Sequence, residues 1–96
     1  MAGSINSFGD KETERIFNRQ FSRRLPQDIQ AIALRKLIYM DKARSLNDLR
    51  IPPSNHFEQL HGDREGQYSI RINRQYRICF GVSSSGFEEV EITDYH

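Results

Sequence analysis

Asp94-Tyr95-His96 closes the chain, and Arg71, Arg74 and Arg77 stand shortly before it, on or between two strand-like runs. A phenol and an imidazole can move a proton, a carboxylate can orient them, and a guanidinium fork matches phosphate oxygens. These are the groups with which a protein handles a phosphate without help from a metal, arginine stabilising charge and the tail handling the proton. Chain ends usually fray and position side chains poorly. An ordered tail of surface polar residues is therefore the competing reading of the tripeptide taken alone.

The arginines carry a geometric argument. Tyr68, Ile70 and Ile72 alternate with Gln67, Ser69, Arg71 and Asn73; Tyr76, Ile78 and Phe80 alternate with Arg77 and Cys79. Pairing Ile72 with Tyr76 and Ile70 with Ile78 keeps the apolar residues on one face and leaves Asn73-Arg74-Gln75 as the turn. Arg71 then lies directly across from Arg77, on the face away from the core. Opposed like charges destabilise a strand pair by a few tenths of a kcal/mol or more, so something negative is expected between them. Glu91 is one partner; a phosphate is the other. A third strand, Glu88 to Asp94, places Tyr95 in step with Glu91 and Thr93, on the same face. With a ribose 2′-hydroxyl as nucleophile, arginine plus a proton carrier amounts to ribonuclease chemistry.

These strands need a layer behind them. Asp10 suits the N-cap of a first helix running to about Gln20, with Ile16 and Phe17 inward. Pro26 suits the first position of a second helix. Its Ile29, Ile32, Ala33, Leu37 and Met40 recur at helical spacing, Leu34 and Ile38 widen the stripe, and Arg35, Lys36 and Lys42 stay outside it. Leu46 to Leu49 adds a turn before Pro52-Pro53 stops helical structure. Ile5–Phe8 and His56–Leu60 read as short strands, Gly62-Asp63-Arg64-Glu65-Gly66 as a turn, and Ser83-Ser84-Ser85-Gly86 as a hairpin loop. The expected fold is α+β: two N-terminal helices packed on a mainly antiparallel sheet.

Ninety-six residues with 36% hydrophobic content make one domain with one modest core. Met1-Ala2-Gly3-Ser4 reads as an added leader, so the domain is expected over residues 5–96. The net charge of +1 hides an asymmetry. Between Arg15 and Arg50 stand nine basic residues (Arg15, Arg19, Arg23, Arg24, Arg35, Lys36, Lys42, Arg44 and Arg50) against Asp28, Asp41 and Asp48. Beyond Arg77 come Glu88, Glu89, Glu91 and Asp94 and no Lys or Arg. Such polarity suits a polyanion, and a solvated helix face accounts for the first cluster equally well. The single Cys79 excludes an internal disulfide and fits a reducing compartment; flanked by apolar residues, it reads as a small filler. No apolar run is long enough for a membrane span and no secretory signal opens the chain, so a soluble, cytoplasmic protein with no membrane partner is expected. His56 and His61 are five apart with no cysteine or carboxylate pair beside them, so neither a metal site nor a cofactor is expected.

Several ordered segments together resemble a RelE-superfamily toxin of the HigB type, the group that includes GraT. They are Ser7-Phe8, Leu49 through Pro53, Gly62–Gly66, Tyr68–Asn73, Gln75–Phe80 and the terminal Asp94-Tyr95-His96. The resemblance implies the toxin of a type II toxin–antitoxin system that enters the 70S ribosomal A site and cleaves translated mRNA, leaving a 2′,3′-cyclic phosphate and a 5′-hydroxyl. It implies that Arg77 stabilises the phosphate in the transition state, that Tyr95 positions or donates a proton, and that Asp94 and His96 complete the site. Arg64, Arg71, Arg74 and His61 would touch RNA, and Arg35 and Lys36 on the second helix would dock on 16S rRNA. The implied partner is a HigA-like helix-turn-helix antitoxin, with operator DNA bound only through the complex.

One departure concerns the base. Some HigB toxins carry histidine four residues before the glycine of the turn; here that residue is Glu58, which acts as a base only if its environment suits. His61 and His96 are the alternatives, and Glu58 fits a weakly active toxin, as in the GraT-like subgroup. Two rival readings keep the fold: a ParE-like gyrase poison, which has no use for the terminal tripeptide, and a binding module without turnover.

Overall fold

The computed structural model describes residues 4–94. Helix α1 spans Lys11–Phe17 and α2 spans Gln27–Lys42. Short 3-10 turns cover Leu46–Arg50, Pro53–Asn55 and Gly62–Arg64. Strands β1 (Glu58–Gln59), β2 (Tyr68–Arg71), β3 (Tyr76–Ser83) and β4 (Gly86–Asp94) form one antiparallel meander in the order β1-β2-β3-β4. The expected α+β class holds.

Helix α1 starts where the sequence placed it: the Asp10 carboxylate accepts from the Thr13 amide at 2.8 Å, satisfying a donor the first turn leaves open. It ends earlier than Gln20. Arg19 adopts the left-handed conformation at φ 62° and its amide donates back to the Ile16 carbonyl, which terminates the helix. Pro26 lies one residue outside α2, as its N-cap. Ile29, Ala33, Leu37 and Met40 form the buried stripe, with Ile32 and Leu34 partly buried beside it. They pack with Ile70, Ile72, Ile78, Phe80, Phe87, Val90 and Ile92 from the sheet. Each fully buried Leu, Ile or Phe contributes about 1.5–3 kcal/mol relative to exposure.

The hairpin between β2 and β3 has the expected register: Ile70 faces Ile78 and Arg71 faces Arg77. Asn73 closes the turn, its side-chain oxygen accepting from the amides of Gln75 and Tyr76 at 2.8 and 2.7 Å. Two strand expectations need correction. Ile5 to Phe8 makes only isolated parallel bridges, Ile5 to Phe87 and Phe8 to Val90. His56 to Leu60 shrinks to Glu58–Gln59, because His56 lies in left-handed backbone at φ 43°.

Strand β4 also holds a bulge that alternation does not reveal. Cys79 pairs with Glu91 but Gly81 pairs with Glu88, so β4 carries one extra residue. Glu89 takes φ 53° there. The bulge lets Phe87 and Val90, three apart, both face the core. Its amides are taken up by the N-terminal segment: Glu89 donates to Ser7 Oγ at 2.9 Å and Val90 to the Ser7 carbonyl at 3.1 Å.

Candidate functional site

On the face of the sheet away from α2, the Arg77 guanidinium sits almost wholly buried at 8% exposure. Its Nε donates to Ser69 Oγ at 2.7 Å, its Nη2 to the His56 carbonyl, and its Nη1 lies 3.4 Å from Glu58 Oε1. A buried arginine with several acceptors loses its rotamer freedom before any ligand arrives, so it presents charge without reorganising. The sequence supplies that placement simply: residue 77 faces residue 71 and residue 93 across its two neighbours, with Ser69 one pleat away.

Arg77 is the floor of a cleft of about 310 Å³ lined by His56, Glu58, Arg71, Asn73 and Arg74. Arg71 is half-buried and steadied by its Nε, which donates to the Asn73 carbonyl at 3.0 Å. Three arginines thus face one carboxylate, which leaves the cleft net positive and suited to an anion the size of a phosphate. The negative group expected beside Arg77 is Glu58, not Glu91. Glu91 instead pairs with Arg64 Nη2 at 2.8 Å, because the Gly62–Arg64 turn folds back toward β4. Glu58 comes to Arg77 because β1 pairs with β2, setting Glu58 opposite Ser69.

Other expected residues stand elsewhere. Arg64 also donates to Gln67 at 2.9 Å. His61 is exposed and faces Glu65 at 3.8 Å; neither lines the cleft. Asp94 lies opposite Tyr76 and accepts from Gln75 Nε2 at 3.1 Å, on the parity that faces away from Arg77. Arg35 is exposed on α2. Lys36 turns inward, its Nζ donating to Asn55 Oδ1 at 2.6 Å; burial, then the Arg35 charge, push its ammonium below the usual lysine range. Tyr95 and His96 lie outside the described residues.

Reading the sequence missed two parts of this site. Ser69 is fully buried and orients Arg77. His56, weighed only as a metal ligand, lines the cleft and offers its carbonyl to Arg77. Asn55 sets it there: 2% exposed, its Nδ2 donates to the carbonyls of Leu49 and Ile51 at 3.1 and 3.2 Å. Lys36 therefore braces the turn that carries His56 to the cleft. The polar Ser-Asn pair after Pro52-Pro53 is the only local signal for that turn. Cys79, buried beneath the same face, has its thiol pushed up by burial, partly offset by the Thr93 hydroxyl and nearby arginines, which suits a filler.

Two helices on a four-stranded antiparallel meander, with an arginine cleft on the bare face, define a RelE-like α+β fold. The YoeB-YefM complex from Staphylococcus aureus shares it at a TM-score of 0.56 and 18% identity, over 100% of this chain and 99% of that one. Residues 6–96 match the family model of HigB-like toxins, described as the RelE-like toxin of type II toxin-antitoxin system HigB. The chain is 45% identical over 74 residues to Toxin HigB-1 of Vibrio cholerae serotype O1, covering 76% of this chain and 78% of that protein. It is 39% identical over 57 residues to an uncharacterized protein of Haemophilus influenzae, covering 59% and 56%. The chain belongs to the HigB-like toxin family of type II toxin-antitoxin systems, as its motifs led us to expect.

Proposed function

We propose that this toxin is a ribosome-dependent endoribonuclease that cleaves translated mRNA in the A site. The observation that carries the reading is the buried Arg77 guanidinium, held at the floor of a cleft lined by two further arginines. In the proposed step the substrate's 2′-oxygen forms a bond to the adjacent phosphorus and the P–O5′ bond breaks. The products are a 2′,3′-cyclic phosphate and a 5′-hydroxyl. Arg77, with Arg71 beside it, stabilises the charge that develops on the phosphoryl oxygens. One group takes the 2′-hydroxyl proton and another returns a proton to the leaving oxygen; Glu58, Tyr95 and His96 are the candidates, while Asp94, facing away from Arg77, anchors the tail through Gln75. No metal is needed, since the nucleophile belongs to the substrate. Arg64, Arg74, His61 and Arg35 are assigned to binding RNA and 16S rRNA, while Lys36, whose ammonium is held by Asn55, braces the His56 turn instead. The partner is a HigA-like helix-turn-helix antitoxin, and operator DNA is bound through the complex.

One observation favours a second reading, a binding module with little turnover: Glu58 already sits against Arg77, so a phosphate must displace or share that carboxylate. The test is 5′-end mapping of a defined mRNA in a reconstituted translation reaction. New 5′-hydroxyl ends with wild type, absent without ribosomes and absent with Arg77→Ala, are expected. No cleavage by folded wild type would sink the nuclease reading in favour of the second.

A further inference from the structure

The geometry points to a second RNA-holding surface on the α1–α2 loop, where Phe21 stacks an unpaired base and Arg19, Arg23 and Arg24 take the flanking phosphates. It is carried by the helices, not by the strands of the arginine cleft, and goes beyond the nuclease reading. Phe21 is 60% exposed although its neighbour Ser22 is fully buried. Serine is an odd residue to bury beside an exposed phenylalanine, so what holds Ser22 inward decides the matter. Its amide donates to Gln30 Oε1 at 3.0 Å, its hydroxyl to Glu12 Oε1 at 2.5 Å, and its carbonyl accepts from Gln30 Nε2 at 2.8 Å. Gln30 Nε2 also reaches the Leu25 carbonyl at 3.0 Å, and the Arg24 amide donates to Ser22 Oγ at 3.2 Å. This network clamps the loop with residue 22 inside, while Phe21 and Arg23 stand exposed on either side of it.

The ring stands as a ridge between two hollows. One, of about 260 Å³, is lined by Arg15, Arg23 and Arg24 together with Glu12; the other, of about 270 Å³, has Arg19 at its side and Ile16, Ala31 and Leu34 as an apolar wall. Arg15 has Glu12 at 3.7 Å, while Arg19, Arg23 and Arg24 form no ion pair among the described residues. Three unanswered guanidiniums around an outward ring match a strand whose phosphates alternate with planar bases. An acidic peptide would also satisfy the charge. It offers no planar group to lie on the exposed ring, which a base does.

The experiment measures anisotropy of a fluorescein-labelled single-stranded oligoadenylate, and separately of a labelled poly-glutamate peptide, against the full chain. Phe21→Ala should weaken the RNA by about tenfold, the scale of one stacked base, and leave poly-glutamate unchanged. Arg23→Ala/Arg24→Ala should lower the slope of log affinity against log salt by about 0.7 for each phosphate no longer neutralised. Repeating the comparison on an Arg77→Ala background keeps binding at the cleft from masking the loop, and melting curves check each fold. Unchanged RNA affinity in Phe21→Ala overturns the proposal, as does equal loss on both probes, which would make the loop a docking surface for an acidic protein. Cleavage is not the readout, so failure of the nuclease reading leaves this result to stand or fall separately.

Discussion

Arginine does opposite things in two regions of this molecule. At the cleft, Arg77 is buried and occupied by Ser69, His56 and Glu58. On the α1–α2 loop, Arg19, Arg23 and Arg24 are exposed and unpaired among the described residues. The first arrangement fixes a charge in one place at the cost of desolvating it, which suits a reaction whose charge develops at one atom. The second leaves charges solvated and mobile, which suits holding a polyanion and adds little to stability. Residue type is therefore no guide to role here; the acceptors around each guanidinium are.

The sharpest contrast comes from substitution at the two places. Arg77→Ala should lower the cleavage rate by at least about 10²-fold, the scale of one lost transition-state donor. It should also cost about 1–3 kcal/mol of stability by leaving Ser69 and the His56 carbonyl without their donor. Arg23→Ala should stay within about 0.5 kcal/mol of wild type in a urea melt. Equal stability losses would erase the distinction drawn between the regions.

Next in size is Asn55→Ala, which touches no arginine. It removes the link from Lys36 to the Leu49 and Ile51 carbonyls and should cost about 1–3 kcal/mol by chemical denaturation. Cleavage should also fall, since the turn that presents His56 loses its brace; full activity in the folded variant would show that the turn needs none. Glu58→Gln is expected to act more gently, raising strand affinity about two- to fivefold by freeing Arg77 of a half-exposed carboxylate. Tighter binding with cleavage abolished would identify Glu58 as the base.

The smallest effect lies far from both regions, at Glu88. Asn6 Nδ2 at 2.6 Å, then Ser83 Oγ at 2.9 Å, donate to its Oε2 and hold its carboxyl below the usual 4.5. A depressed folded pKa means the stabilisation is present above the unfolded value and is lost as pH falls through the folded one. Glu88→Gln should therefore melt slightly lower at neutral pH and show a shallower decline below about pH 4.5. An unchanged acid limb would show that Glu88 adds nothing to the stability of this edge.

Much of this was legible in the residues. The helical stripe from Ile29 to Met40 and the alternation from Tyr68 to Phe80 are local periodicities, set by the pitch of a helix and the pleat of a strand. Because a pleat repeats every two residues, the apolar positions alone set Arg71 across from Arg77. The bulge at Glu89 was not legible, because the Ser7 groups that stabilise it are contributed from 82 residues away along the chain. Nor was the exchange of partners between Glu58 and Glu91, since both carboxylates had acceptable parity and only loop closure chose between them. His56 was hidden for the same reason, its left-handed backbone being set by a turn that Lys36 braces from α2.

The sequence by itself determined the two-layer class, the arginine pair on the bare face and the motifs of a HigB-like toxin, because period and order are properties of the chain. Only the tertiary structure decided which carboxylate meets Arg77, which histidine enters the cleft and that Phe21 faces outward beside a buried serine. Those outcomes depend on interactions between segments distant in the chain, whose polar groups find their partners only once the whole fold has closed.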